Sequence, residues 1–455
     1  MSDLRQKTKT FFNALDWNKP VTFGDLKLIK DSVPSTLYVK NLHGAAGGND
    51  RVSDLAFQIE LQESAGSYLF TGNRGTGKTT ELLRLAGLLK QSGCEVFYAD
   101  MGEYIDLTSP LEPTDFLITL MGALSEKVAE RLEIDPAKQN WWERIWQFLQ
   151  TEVQITEVSL GVKDGASLKA ALALDPTFKR LLQEKTRGYL SRIVELARAY
   201  ALEIVNLVRT ERRDEGRKIV LIADSVERLG GSSVGEEIHK VFSSAAILFD
   251  NHADKLRFTG LNVVYTVPPF LAAVSEGGLS TYAGGQIYAL PSVHIYEGCP
   301  VPGQPCQPSE HGLAVMRAIV EKRYPGWAEF FNKEQLDQLA LSSGGDLRDY
   351  FRMLRLCLVR AGQGQFPVTD SAVRDAENAV RADMLPLADD DREWLRKITR
   401  SHACNLPSLE KLPDLARLIH GKRVLNYRNG EDLYDVHPLI RKEVGGGEDE
   451  KGGGA

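Results

Sequence analysis

The sequence predicts an α/β fold: a parallel, doubly wound sheet carrying a helical insertion, followed by a helical unit and a winged helix. Three observations predict it. Apolar runs of strand length alternate with stretches of helical spacing, the pattern of βα units that build a parallel sheet. The first of these runs opens into a glycine-rich turn and then a helix. Beyond residue 300 the strand pattern stops, and helical stretches run on until two alternating segments meet at Asn429-Gly430.

Residues 1–35 read as an N-terminal helical segment, and the core is expected over 36–300. Its strands are SYLFTG (67–72), EVFYAD (95–100), KIVLIAD (218–224), LNVVYTV (261–267) and QIYALPSVHIYE (286–297). The third and fourth are continuously apolar, as strands covered on both faces are. About 115 residues separate the second strand from the third, far beyond an ordinary βα connection, which marks 134–215 as an insertion. It begins with a helix, NWWERIWQFLQ; TEVQITEVSLGVKDGASL (151–168) then alternates like a hairpin. Apolar residues from Leu190 to Val208 next fall at helical spacing, giving a helix of about 40 Å at 1.5 Å per residue. Trp141, Trp142 and Trp146 are expected to pack inside the insertion rather than form a partner surface. The arginines of the long helix alternate with Glu195, Glu203 and Glu211, which favours a solvated face over a row of phosphate contacts.

CPVPGQPCQPSEHG is a connector, and four helices broken by glycine or proline signals form a lid unit over 301–385. Residues 386–444 hold two helical stretches, DDREWLRKITRSHA and PDLARLIH, and then the hairpin signal. Two helices followed by a hairpin give the winged helix. The tail 445–455 is too rich in glycine and charge to fold and is expected to be disordered.

Composition narrows the function classes. A chain of 455 residues, 43% apolar and 26% charged, is ordinary multidomain globular material. Its net charge of −7 argues against a dedicated nucleic-acid binder. Five scattered cysteines suit a reducing compartment, and Cys299 and Cys306 stand too far apart for a zinc knuckle. No apolar run is long enough to span a bilayer and no signal-peptide pattern opens the chain, so no membrane partner and a cytoplasmic location are expected.

Gly72-Asn73-Arg74-Gly75-Thr76-Gly77-Lys78-Thr79 satisfies GxxxxGK(S/T), with a strand before it and a helix after it, the context a phosphate-binding loop requires. Its backbone N–H groups and the following helix N-terminus cradle phosphates, with Thr80 beside them. Lys78 reaches the β and γ phosphates, and the Thr79 hydroxyl holds Mg²⁺. Asp224, closing the third strand, completes the magnesium shell. The sheet is therefore that of a P-loop NTPase with Mg²⁺ as a cofactor; which base is bound does not follow from these residues. Ser225, next to the acid, cannot act as a base. Glu227 can face the γ-phosphate if DSVERL starts a helical turn, or else it is a surface partner of Arg228. Thr266, at the end of the fourth strand, either reaches the γ-phosphate or packs against the sheet.

GNRGTGKTT, IVLIADSVERL, VVYTVP and SSGGDLRDYFRML, in this order, resemble the P-loop, second acidic motif, sensor strand and lid arginine of AAA-plus ATPases. The resemblance assigns γ-phosphate sensing to Arg348; the residue reading alone also allows Arg348 to pair with Asp346 or Asp349. LYDVHPLIRKEV is similar to the histidine motif of the STAND branch, which includes plant and animal immune receptors. That resemblance implies that His437 contacts the β-phosphate of bound ADP and holds a closed state. SEGGLSTYAGG (275–285) departs from the AAA-plus pattern in lacking an arginine finger.

Together these imply a slowly hydrolysing ATP switch that controls a separate effector or sensor protein, with a nucleotide-dependent oligomer and, by family, a place in anti-phage defence. A nucleic-acid-loading ATPase of the origin-recognition or transposition-helper type is the alternative. Weakest is a catalytically dead scaffold.

Overall fold

Five strands form one wholly parallel sheet: β1 (Ser67–Gly72), β2 (Glu95–Asp100), β3 (Ile219–Asp224), β4 (Leu261–Thr266) and β5 (Ile287–Leu290). Their order across the sheet is β2-β3-β4-β1-β5. The computed structural model describes residues 2–23, 32–44, 50–133, 140–155, 162–230, 236–273, 278–297, 307–429 and 431–445. β5 is shorter than the apolar run suggests because Pro291, which has no N–H to give the ladder, follows it.

Alternate strand residues enter opposite layers. Tyr68, Phe70, Val96, Val220 and Ile222 face α2 (Arg51–Leu61) and α3 (Lys78–Gln91). Leu69, Phe97, Ile219 and Leu221 join the larger core on the other face, which includes α4 (Pro113–Leu132). Burial on both faces explains why the strands read as unbroken apolar runs.

The insertion supplies α5 (Trp141–Thr151), α6 (Gly165–Leu174), α7 (Pro176–Thr186) and α8 (Leu190–Arg212). Among the described residues the expected hairpin over 151–168 gives way to helix at both ends: α5 runs to Thr151 and α6 starts at Gly165, and 156–161 lie outside the described residues. Asp164 provides the local reason, since its carboxylate caps the Ser167 N–H and starts a helix where strand alternation would continue. All three tryptophans are buried, and Trp141 and Trp142 donate their indole N–H groups to the Ile118 carbonyl and to Glu126.

A buried lysine clamps the insertion to the loop after β2 and to α4. Lys179 of α7 donates to the carbonyls of Asp106 and Ser109 at 2.6 and 3.2 Å, and lies 3.8 Å from Asp115 in the first turn of α4. Burial lifts the Asp115 pKa to about 6 and lowers that of Lys179. The arginines of α8 are spent within the molecule: Arg192 on Glu152, Arg198 on the Asp254 carbonyl and Arg212 on Glu95.

After β3 comes α9 (Glu236–Phe249), and after β5 the helices α10 (Glu310–Arg323), α11 (Lys333–Ser342), α12 (Leu347–Gly362) and α13 (Asp370–Ala382). α1 (Ser2–Ala14) packs on α12, and Phe11 stacks on Tyr324 with ring centroids 4.4 Å apart. The C-terminal unit is α14 (Asp389–Ser401), α15 (Leu412–His420) and an antiparallel hairpin, β6 (Val424–Asn429) with β7 (Glu431–Val436). α15 is seated on α9 and on the turn Pro269–Ala273. The expected disordered tail beyond Gly445 lies outside the described residues, as do Cys299 and Cys306. No described helix is long and apolar enough to cross a membrane.

Candidate functional site

The strand order places the carboxyl ends of β1, β4 and β3 side by side, where open α/β sheets bind ligands. A cleft of about 1150 Å³ lies there. Gly75 and Gly77 turn the loop with φ of 101° and 90°, a left-handed backbone that glycine adopts without strain. Gly77 opens α3 with no side-chain cap, so the first N–H groups of the helix are left for a ligand. Gly72, Arg74, Gly75, Gly77, Lys78, Thr79 and Thr80 all line the cleft. Asn73 and Thr76 are buried behind them, and the Thr76 hydroxyl donates to the Asn73 carbonyl. Lys78 Nζ donates to the Gly72 and Asn73 carbonyls and lies 3.4 Å from Glu227 Oε1.

Across the cleft, the Thr79 hydroxyl donates to Asp224 Oδ2 at 2.9 Å, so the two expected magnesium residues meet. The chain then kinks. Ser225 has φ 73°, an uncommon conformation for a residue with a side chain, and Val226–Arg228 form one 3₁₀ turn. This brings Glu227 back over the loop beside Lys78. Burial works to raise the Glu227 pKa, but Lys78 and a hydrogen bond with Thr266 outweigh it and hold the carboxyl below its usual range. Asp224 moves the other way, lifted by burial and by Glu227. Arg228 does not take up Glu227 as its partner; it pairs with Asp100 at 3.6 Å.

Thr266 does not line the cleft. Its buried hydroxyl accepts the Val226 N–H at 3.0 Å and lies 3.3 Å from the Ala223 carbonyl, so it supports the turn that carries Glu227. Arg348, at the start of α12, does line the cleft, and burial together with nearby Arg74 lowers its pKa. Asp346 and Asp349 are not its partners: Lys422 lies 2.8 and 3.0 Å from them.

His437 is buried at the seam between α12 and the hairpin, its Nε2 3.7 Å from Asp349, and does not line the cleft. The histidine that reaches the cleft is His420, at the end of α15 beside Ile419. Burial, Arg74 and Lys78 lower its pKa.

The lid loop sits directly on the phosphate loop. A Cβ on Gly75 would collide with the Asp346 carboxylate, and one on Gly77 would touch Leu347 at 3.5 Å. Asp346 and Asp349 share the one Lys422. Burial and its neighbour push Asp346 up; Asp349 is held well below the usual carboxylate range by Lys422 and His437.

Sequence reasoning missed Tyr98, His420 and the far wall, where Trp17, Pro20 and Phe351 line the cleft. Only the apolar run EVFYAD, which holds Tyr98, hinted at any of them. The residues present fit a nucleoside triphosphate with a divalent cation. Arg74, Lys78, Arg228 and Arg348 would meet its anionic end, Thr79 and Asp224 would offer hard oxygen ligands, and Trp17 and Phe351 line the cleft with apolar faces that a base could use. Among the described residues no group of three or more His, Cys, Asp or Glu could hold a metal.

No known protein family matches the sequence, and no curated protein matches it. Among solved structures the chain aligns with Cdc6p from Pyrobaculum aerophilum at 14% identity and a TM-score of 0.34, over 90% of this chain and 95% of that one. It aligns with the ORC2 protein of Aeropyrum pernix, solved as ADPNP and ADP complexes, at 10% identity and a TM-score of 0.37, over 90% and 95%. It also aligns with the Walker-type ATPase paby2304 of Pyrococcus abyssi at 11% identity and a TM-score of 0.37, over 90% and 99%.

Proposed function

We propose that this chain binds ATP with Mg²⁺, hydrolyses it slowly, and uses the state of the nucleotide to set how its C-terminal unit sits on the core. One observation carries the reading: α15 brings Ile419 and His420 into the same cleft as Lys78, Glu227 and Arg348. A nucleotide there touches core, lid and C-terminal unit together. ATP and ADP differ in the charge they present to those parts, and a ligand shifts a conformational equilibrium only by such a difference in affinity.

In the hydrolytic step Lys78 and the loop N–H groups hold the phosphates, and Glu227, kept ionised by Lys78, accepts the proton of the attacking water. Arg348 and Arg74 stabilise the charge that develops on the transferred group. Thr79 and Asp224 would hold a magnesium ion, which when bound would supply charge neutralisation. Thr266 fixes the Glu227 turn from behind.

The output is a rearranged C-terminal unit offered to a separate effector or sensor protein, a switch of the STAND and AAA-plus kind, with anti-phage defence as the family's setting for it. The test is to identify the nucleotide carried by purified protein and to compare its mass and shape with ADP and with ATP plus Mg²⁺. Retained ADP and a changed, larger species with ATP support the switch. One unchanged monomer under every condition overturns it.

Nucleic-acid loading is the second reading. It draws on the helix–helix–hairpin form of the C-terminal unit and on the names Cdc6p and ORC2 among the aligned structures. α15, the helix that precedes the hairpin, is packed on α9 here, so reading DNA with it requires the unit to swing away. Salt-dependent DNA binding that appears only with ATP favours loading; none at low salt removes it.

A further inference from the structure

We infer that Tyr98 is a positioning residue for the magnesium acid, an inference that rests on the magnesium–nucleotide reading above. Tyr98 lies in β2 opposite Ile222 of β3, two places before the pair Asp100 and Asp224. Its ring spans that diagonal, and the hydroxyl donates to Asp224 Oδ2 at 2.6 Å.

The same oxygen accepts the Thr79 hydroxyl at 2.9 Å, and the other oxygen, Oδ1, accepts the Ser225 N–H at 2.6 Å. Three donors from three segments thus fix the rotation of one fully buried carboxylate. The arrangement has a direct consequence for Thr79. Because its proton goes to Asp224, the lone pairs of its oxygen are left for a cation. Tyr98 keeps Oδ2 where Thr79 can reach it. A phenol serving only to fill the sheet would find any carbonyl; this one, its ring buried, also lines the cleft and spends its proton on the acid.

Tyr98→Phe removes the donor and keeps the ring. The measurements are Mn²⁺ binding to the protein–ADP complex, read by electron paramagnetic resonance, and the affinity for a fluorescent ADP analogue in EDTA, with Thr79→Ala as the reference and a melting curve for each variant. A hydrogen bond to a charged group sets the expected size: Mn²⁺ binding weakens roughly tenfold in Tyr98→Phe while metal-free affinity stays within twofold. If Thr79→Ala weakens Mn²⁺ binding and Tyr98→Phe does not, this inference fails and the site reading stands. Equal losses with and without metal mean that Tyr98 only supports the fold, which also overturns it. If Thr79→Ala leaves Mn²⁺ binding unchanged, the magnesium reading itself falls, and the inference with it.

Discussion

Ser225 is the residue on which the candidate chemistry turns. Its left-handed φ of 73° costs backbone energy, and such strain is kept where it places something useful. Here it places Glu227. Glu227→Gln is expected to slow phosphate release by roughly 100-fold or more, while affinity for a fluorescent ATP analogue changes only a few-fold. The phosphate loop was legible because its spacing is fixed by backbone geometry, and Glu227 because a turn after Asp224 brings it round. His420 was not legible: three histidines stand in the C-terminal unit, and spacing cannot say which one faces the cleft. Two other histidines set a pH dependence. Burial lowers His43 and His294 to about 4, with His43 Nδ1 against the Pro291 carbonyl. As pH falls, the unfolded chain takes up these protons first, near 6.5, so the stability is whole above that value and is lost towards about 4. Melting temperature should therefore drop between pH 7 and 4.5, and His43→Gln should flatten the slope.

Strands were the most legible elements, since burial on both faces leaves unbroken apolar runs that cannot be mistaken for amphipathic ones. The insertion was legible as a length anomaly; the alternation read across 151–168 misled at its end, where the Asp164 cap starts α6. Lys179 fastens α7 to the loop after β2 and to α4, and nothing in FKRLLQEK announces that it, rather than Lys185, is the buried lysine. Lys179→Met should destabilise the fold by about 3–5 kcal/mol, the usual loss when one partner leaves a buried charge pair, and raise amide exchange over residues 105–111. A loss below about 1 kcal/mol in denaturant melts would show the clamp to be incidental.

At the scale of the whole molecule, core, lid and C-terminal unit meet within a few residues of the phosphate loop. Asp346 lies against Gly75, Lys422 holds Asp346 to Asp349, and the Tyr427 hydroxyl donates to the Gly344 carbonyl at 2.7 Å. Lys422→Met leaves two carboxylates without their shared cation and should loosen this seam. Hydrogen exchange in α15 and β6 is expected to rise several-fold without a matching rise in β1 or β3, and a uniform rise would mean global destabilisation instead. The sequence could mark the units, because each has its own periodicity. It could not show their seam, because that seam is made from single charged residues far apart in the chain.

The seating of α15 has one more consequence. Leu415, Leu418 and Ile419 on one side, and Val241 and Phe242 on the other, are buried within a single chain. A copy that swings open carries both halves of the joint it has broken. Two such copies can close it again with each other's halves, each α15 on its neighbour's α9, which makes domain swapping an available route to assembly. Mixing two differently labelled preparations with ATP and then returning them to ADP would reveal it: dimers holding one label of each kind mark exchanged arms, and monomers alone mean that every arm found its own way home.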